Sequence, residues 1–115
     1  LKGKKPVIIE TKQDLMVSNS LCLANSSYLR DFFKTNHVPV YLESSVKEIT
    51  DGQVVFVTKD GQEGKIEADN VICAIGYNPA PLAKASKHVH IVGDALKVGN
   101  LRTVVWRAWE VAEKI

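Results

Sequence analysis

The dipeptide Asp60-Gly61 stands between two apolar, β-branched runs, "QVVFVT" at 53–58 and "GKIEADNVICAIG" at 64–76. Such a pair between two alternating runs is a strong hairpin signal, because Asp and Gly tolerate the positive φ that hairpin turns demand. The middle of the chain is therefore committed to antiparallel pairing. The preceding stretch "VPVYLESSVKEITDG" adds short strands at Val38–Leu42 and Val46–Ile49. Together they predict a β-meander.

The flanks follow a different pattern. "PVIIE", residues 6–10, is a continuous apolar run suited to a buried strand. Asp14 is placed to cap a helix. From Leu15 to Asn36, Leu21, Leu23, Ala24, Tyr28, Leu29, Phe32 and Phe33 recur at the spacing of one helical face. Ser18, Ser20, Ser26 and Ser27 weaken that helix, and Pro39 returns the chain to extended backbone. "NVICAIG" at 70–76 predicts a strand covered on both faces, "NPAPLAKASK" a surface loop, and "HVHIV" at 88–92 a last strand. Leu101–Ile115 predicts a closing helix with Val104, Val105, Ala108, Val111 and Ala112 on one face. Buried strands separated by helices place the chain in the α/β class, a parallel sheet with the meander inserted.

Composition removes several functions. At 115 residues, 45% hydrophobic and 24% charged, the chain has ordinary globular usage and the length of one domain at most. Its 15 basic and 13 acidic residues are spread along the chain, with no clustered basic face for nucleic acid. No apolar run approaches the roughly 18 residues of a membrane span, and "LKGKKP" lacks the apolar core of a signal peptide. Cys22 and Cys73 sit in apolar patterns and read as buried free thiols, consistent with a cytoplasmic protein. His37, His88 and His90 read as surface or strand-edge residues, and no His/Cys spacing suits a metal.

Three places carry candidate chemistry. Glu10 ends the first strand, where an acid either marks the solvent boundary or binds a ribose 2′-hydroxyl. Lys12, two residues on, would instead suit a 2′-phosphate. Gly76 follows an apolar run and allows positive φ or close backbone approach. Gly93-Asp94 follows "HVHIV": the carboxylate either accepts from sugar or ribityl hydroxyls or makes a local turn. Asn100 is placed to cap the helix that begins at Leu101, whose free N–H groups and dipole suit an electron-rich group. Trp106 and Trp109 read as core or interdomain packing. No nucleophile–base constellation is present.

The order of these features, an acid ending a strand, "AIGY-x-P" after a hairpin, then "IVGDA" and a helix, resembles the two-dinucleotide-binding-domain flavoproteins. From about Pro6 to Ile115 the chain is similar to the C-terminal portion of the NADH:flavin oxidoreductases related to 2,4-dienoyl-CoA reductase and 2-enoate reductase. The resemblance implies a Rossmann-like three-layer parallel sheet with an inserted antiparallel β-meander, truncated before the first GxGxxG unit. Residues 1–78 would form a partial NAD(P)H-binding domain lacking its first βα unit. Residues 79–115 would form the C-terminal return segment of an FAD-binding domain. Glu10 would be the ribose-binding acid and favour NADH. Ala74, Ile75 and Gly76 would cross between the domains, Gly93 and Asp94 would hold FAD, and Leu101, Arg102 and Thr103 would open the helix facing the flavin. The partner is then the rest of the parent chain, including a barrel with FMN and an iron–sulfur cluster that receives electrons from NADH through FAD. Pyridine nucleotide-disulfide reductases or NADH oxidases share several of these features, and a non-catalytic α/β interaction module would keep the scaffold alone.

Overall fold

The computed structural model describes residues 2–17 and 21–115. Its elements run β1 (Ile8–Ile9), α1 (Leu23–Thr35), β2 (Val40–Tyr41), β3 (Ser44–Thr50), β4 (Gln53–Thr58), β5 (Glu63–Glu67), one 3₁₀ turn (Gly93–Ala95) and α2 (Leu101–Ala112). They divide into two units, Leu1–Ile72 and Cys73–Ile115.

In the first unit β1 and β2 pair in parallel, Ile8 opposite Val40 and Ile9 opposite Tyr41. Parallel strands need a crossover, and α1 supplies it. The expected strands at 6–10 and 38–42 are thus shorter than their apolar runs. Pro39 has no N–H to extend the ladder at one end, and Glu43 turns the chain at φ +47° at the other.

β3, β4 and β5 form the antiparallel meander, with β4 in the centre. The Asp60-Gly61 turn forms as its sequence demands: Gly61 stands at φ +77° and its N–H donates to the Thr58 carbonyl at 2.9 Å. A bulge between Val46 and Glu48 sets Lys47 out of register. Val54, Val55 and Phe56 of β4, with Val38, are the buried hydrophobic residues among those described. Phe56 lies between the Tyr41 ring, 4.6 Å away centre to centre, and Gly64. A Cβ on Gly64 would sit 2.4 Å from Phe56 Cζ, so glycine is what lets the end of the ring approach β5.

Several expectations are corrected here. The helix begins at Leu23 rather than near Leu15, its N-cap Cys22 makes no side-chain cap bond, and Asp14 caps no helix. Ser18 and Ser20 lie outside the described residues. Ser26 of α1 is buried and Arg30 and Phe33 half-buried, at i, i+4 and i+7, whereas Leu23 and Tyr28 are exposed. β5 stops at Glu67, so 70–76 is not a strand, and 88–92 contributes only the isolated bridge between Ser86 and Val89. A strand needs a ladder partner for its N–H and C=O groups, and among the described residues neither run has one. α2 ends at Ala112, with Val105, Ala108 and Ala112 exposed and Val104 and Val111 half-buried. Trp106 and Trp109 are both exposed, not packed in a core. Cys22 and Cys73 are free and exposed, not buried, and His37, His88 and His90 are at the surface.

Candidate functional site

Glu10 leaves the C-terminal end of β1, held on both sides by backbone. Its N–H donates to the Tyr41 carbonyl at 2.9 Å, and its own carbonyl accepts from Ser44 N–H at 3.0 Å. Ser44, the most buried side chain described, anchors this strand end through its hydroxyl, which donates to the Leu42 carbonyl at 2.8 Å. The Glu10 carboxylate folds over the turn: Oε1 accepts from Lys12 N–H at 2.8 Å and from the Thr11 hydroxyl at 3.2 Å. Its other oxygen has no protein partner among the described residues. A carboxylate fixed through one oxygen, at the carboxyl end of a parallel strand, leaves the other oxygen to accept hydrogen bonds from a ligand.

Past Lys12, whose carbonyl accepts from Glu43 N–H at 2.9 Å, the loop meets α1. Arg30 Nη2 donates to the Leu15 carbonyl at 2.6 Å, and Arg30 Nε lies 3.0 Å from Asp14 Oδ2. Nε is buried and makes no aligned hydrogen bond, so that approach is charge attraction alone. Asp14 Oδ1 in turn accepts from Leu15 N–H at 2.7 Å.

In the second unit the turn at Gly93 feeds α2. Gly93 is buried at φ +62°, and a Cβ there would meet Val104 Cγ1 at 3.3 Å, so the glycine answers to helix packing. Asp94 Oδ1 accepts from Gly99 N–H at 3.0 Å and closes the loop, leaving Oδ2 free among the described residues. The local-turn and ligand readings of Asp94 are thus compatible, one oxygen for each. Arg107 reaches back from α2 to the carbonyls of Gly93, at 3.3 Å, and Lys97.

The cap of α2 follows its sequence. Asn100 Oδ1 accepts from Thr103 N–H at 3.1 Å, and Asn100 N–H donates to Thr103 Oγ1 at 2.9 Å, a reciprocal capping box. Val104 N–H is taken by the Asn100 carbonyl at 3.0 Å. This leaves the N–H groups of Leu101 and Arg102 as the open donors of the first turn. Thr103 follows them in the same turn, with its N–H and hydroxyl taken up by the cap. Ala74, Ile75 and Gly76 form an exposed segment outside any helix or strand, with Gly76 at φ +87° and open space where a Cβ would stand.

Glu10 therefore belongs to the first unit, whereas Gly93, Asp94 and Leu101–Thr103 gather in the second. Sequence reasoning passed over Ser44, Arg30 and Arg107. The only signal for the two arginines is a cation on a helix face otherwise read as apolar. No group of His, Cys, Asp and Glu among the described residues could hold a metal ion. No described helix is long and apolar enough to cross a membrane.

Three comparisons with known proteins agree. Residues 1–103 match the family described as pyridine nucleotide-disulphide oxidoreductase. The chain is 35% identical over 120 residues to cinnamate reductase of Clostridium sporogenes, spanning 99% of this chain and 18% of that protein. Its fold is similar to that of a 2-naphthoyl-CoA reductase solved with 2-naphthoyl-CoA, at a TM-score of 0.78 and 23% identity, over 99% of this chain and 18% of the other. The chain thus spans under a fifth of the length of either relative. With its α/β fold, its acid at the end of β1 and its Gly93-Asp94 turn, the chain belongs to the pyridine nucleotide-disulphide oxidoreductase family.

Proposed function

We propose that this chain is the nucleotide- and flavin-orienting portion of an NADH-dependent flavoprotein. In the complete natural polypeptide, electrons would pass from NADH through FAD to an enoate-reducing barrel with FMN and an iron–sulfur cluster. Residues 1–78 serve NAD(P)H and 79–115 serve FAD, with Ala74–Gly76 as the crossing; the division of the chain between Ile72 and Cys73 supports that assignment. Two exposed free thiols suit a reducing, cytoplasmic setting.

The observation that carries the reading is the half-satisfied Asp94. One carboxylate oxygen holds to Gly99 the loop that leads into α2, and the other has no partner among the described residues. In the first unit Glu10 repeats the arrangement, one oxygen on its own turn and one free for a ribose hydroxyl. The nicotinamide and flavin supply the redox chemistry. This chain's residues bind, orient and select: Glu10 repels a 2′-phosphate and so favours NADH, and Asp94 accepts from a ribityl or ribose hydroxyl. The Leu101 and Arg102 N–H groups face electron-rich atoms.

An anaerobic absorption spectrum of the complete natural polypeptide, before and after NADH and then NADPH, tests this. Flavin and iron–sulfur bands that bleach faster with NADH are expected. Flavin without iron–sulfur would shift the parent to a disulfide reductase or NADH oxidase, and a colourless protein would overturn the reading.

A further inference from the structure

We propose that Arg30 is a positioning residue for pyridine-nucleotide selection: from α1 it clasps Asp14 and Leu15, and so holds the loop whose Lys12 N–H fixes the Glu10 carboxylate. The proposal rests on Glu10 being the ribose acid. Three observations carry it. Arg30 spans 15 residues of sequence to reach the Leu15 carbonyl at 2.6 Å, and lies 3.0 Å from Asp14 Oδ2. Its Nε is buried without an aligned hydrogen bond, and the partners of its guanidinium among the described residues, Leu15 and Asp14, both lie on that loop. The stripe of α1 that turns inward carries Ser26 and Phe33 beside it, small and apolar residues that offer Arg30 no other charge.

The consequence runs along the loop. Glu10 Oε1 is held by Lys12 N–H at 2.8 Å. Lys12 sits between two described anchors, its own carbonyl on Glu43 N–H and the Arg30 clasp two and three residues later, at Asp14 and Leu15. Release of the clasp leaves one anchor, and the Lys12 amide then rotates away from Glu10. A carboxylate freed from its turn loses its set direction toward a ribose diol. It also ceases to bar a 2′-phosphate, for which the exposed Lys12 ammonium is a ready partner: Lys12 forms no ion pair among the described residues. Arg30 thus sets preference without touching the nucleotide.

The test uses the complete natural polypeptide and its steady-state kinetics with NADH and NADPH. Arg30→Ala should raise KM for NADH about fivefold, keep kcat within about twofold, and narrow the NADH-over-NADPH preference. Asp14→Asn, which keeps the Leu15 contact and removes the ion pair, should move the same ratio by about half as much. It decides the matter should Arg30→Ala not fold. Arg30→Lys should restore part of the preference. A merely structural arginine would lower flavin content and kcat together and leave the nucleotide ratio unmoved, which would overturn the proposal. Glu10→Gln separates the two readings. If it raises KM for NADH and the Arg30 and Asp14 variants do not, the positioning role fails and the ribose acid stands. If Glu10→Gln itself changes nothing, the ribose reading fails and the Arg30 role with it.

Discussion

A Cβ on Gly93 would meet Val104 Cγ1 at 3.3 Å, on a backbone already at φ +62°. The two constraints have different remedies, and that makes them separable. The left-handed conformation costs a non-glycine residue about 1–2 kcal/mol wherever it occurs. The contact with Val104 costs extra only while the valine keeps its methyls. Gly93→Ala is therefore expected to destabilise the turn by about 1–3 kcal/mol in total, and to lower flavin retention in the complete polypeptide. Val104→Ala added to it should relieve the steric share and leave the conformational share in place. Thermal release of flavin measures both. If the double variant restores retention fully, φ does not matter at this position; if it restores none, the Val104 contact does not.

At the scale of elements, the meander carries an ion pair that reaches across its central strand. Lys47, set out of register by the β3 bulge, donates to Glu63 on β5. The hydrogen bond and charge of Lys47 hold the Glu63 carboxyl below its ordinary range, and Glu63 raises Lys47 in turn. The signs give the pH window. A lowered carboxyl stabilises above its ordinary pKa and loses that as pH falls through the lowered value. A raised ammonium stabilises below its ordinary pKa and loses that as pH rises through the raised value. The pair therefore helps across neutral pH and fades in strong acid and strong base. Both groups are fully exposed, so the effect is small and screened by salt. Amide exchange across β3–β5 should show Lys47→Gln losing about twofold protection at neutral pH. It should lose none in strong acid or near 1 M salt, where the Debye length is about 3 Å. A difference that persists in acid would belong to the bulge and the lysine stem, not to charge.

The same elements show which parts of the fold a sequence can display. The Asp60-Gly61 turn, the span of β4 and the Asn100 cap are decided by residues within five positions of one another, and all three form as predicted. Asp14 misled because a carboxylate before an apolar stretch signals a cap locally, while its partner, Arg30, is distant in sequence. "NVICAIG" and "HVHIV" have strand composition, but a strand also needs a neighbour to bond to, and that is not a local property. The two cysteines follow the same rule, since an apolar pattern gives a capacity for burial and packing decides its use. Of the candidate site, the Asn100 cap is decided by local spacing, whereas Glu10, Gly93 and Asp94 are marked by their places after apolar runs and take their ligand roles from the resemblance. The clasps by Arg30 and Arg107 could not be placed, because a helix cation carries no mark of the loop it holds.

Across the whole molecule, the four buried hydrophobic residues named among those described, Val38, Val54, Val55 and Phe56, fall in the first unit. In the second, Ile72's successor segment leaves Ile75 at 93% and Tyr77 at 85% exposure, with Leu82 and Leu101 similarly open. So open a segment leaves little apolar surface with which to enclose a ligand, and exposed contacts contribute little affinity. The 115 residues also contain no glycine-rich phosphate turn, the feature from which dinucleotide sites draw much of their hold on the pyrophosphate. Among the described residues Glu10 and Asp94 each keep one carboxylate oxygen without a partner, too few groups to hold a dinucleotide. These residues alone should accordingly bind FAD and NADH with dissociation constants weaker than about 100 μM, measured by calorimetric titration. Micromolar binding would mean that the sites around Glu10 and Asp94 hold their ligands by themselves. Weak binding here, beside tight binding by the complete polypeptide, would assign affinity to the phosphate turns of the rest of the protein and selection to this segment.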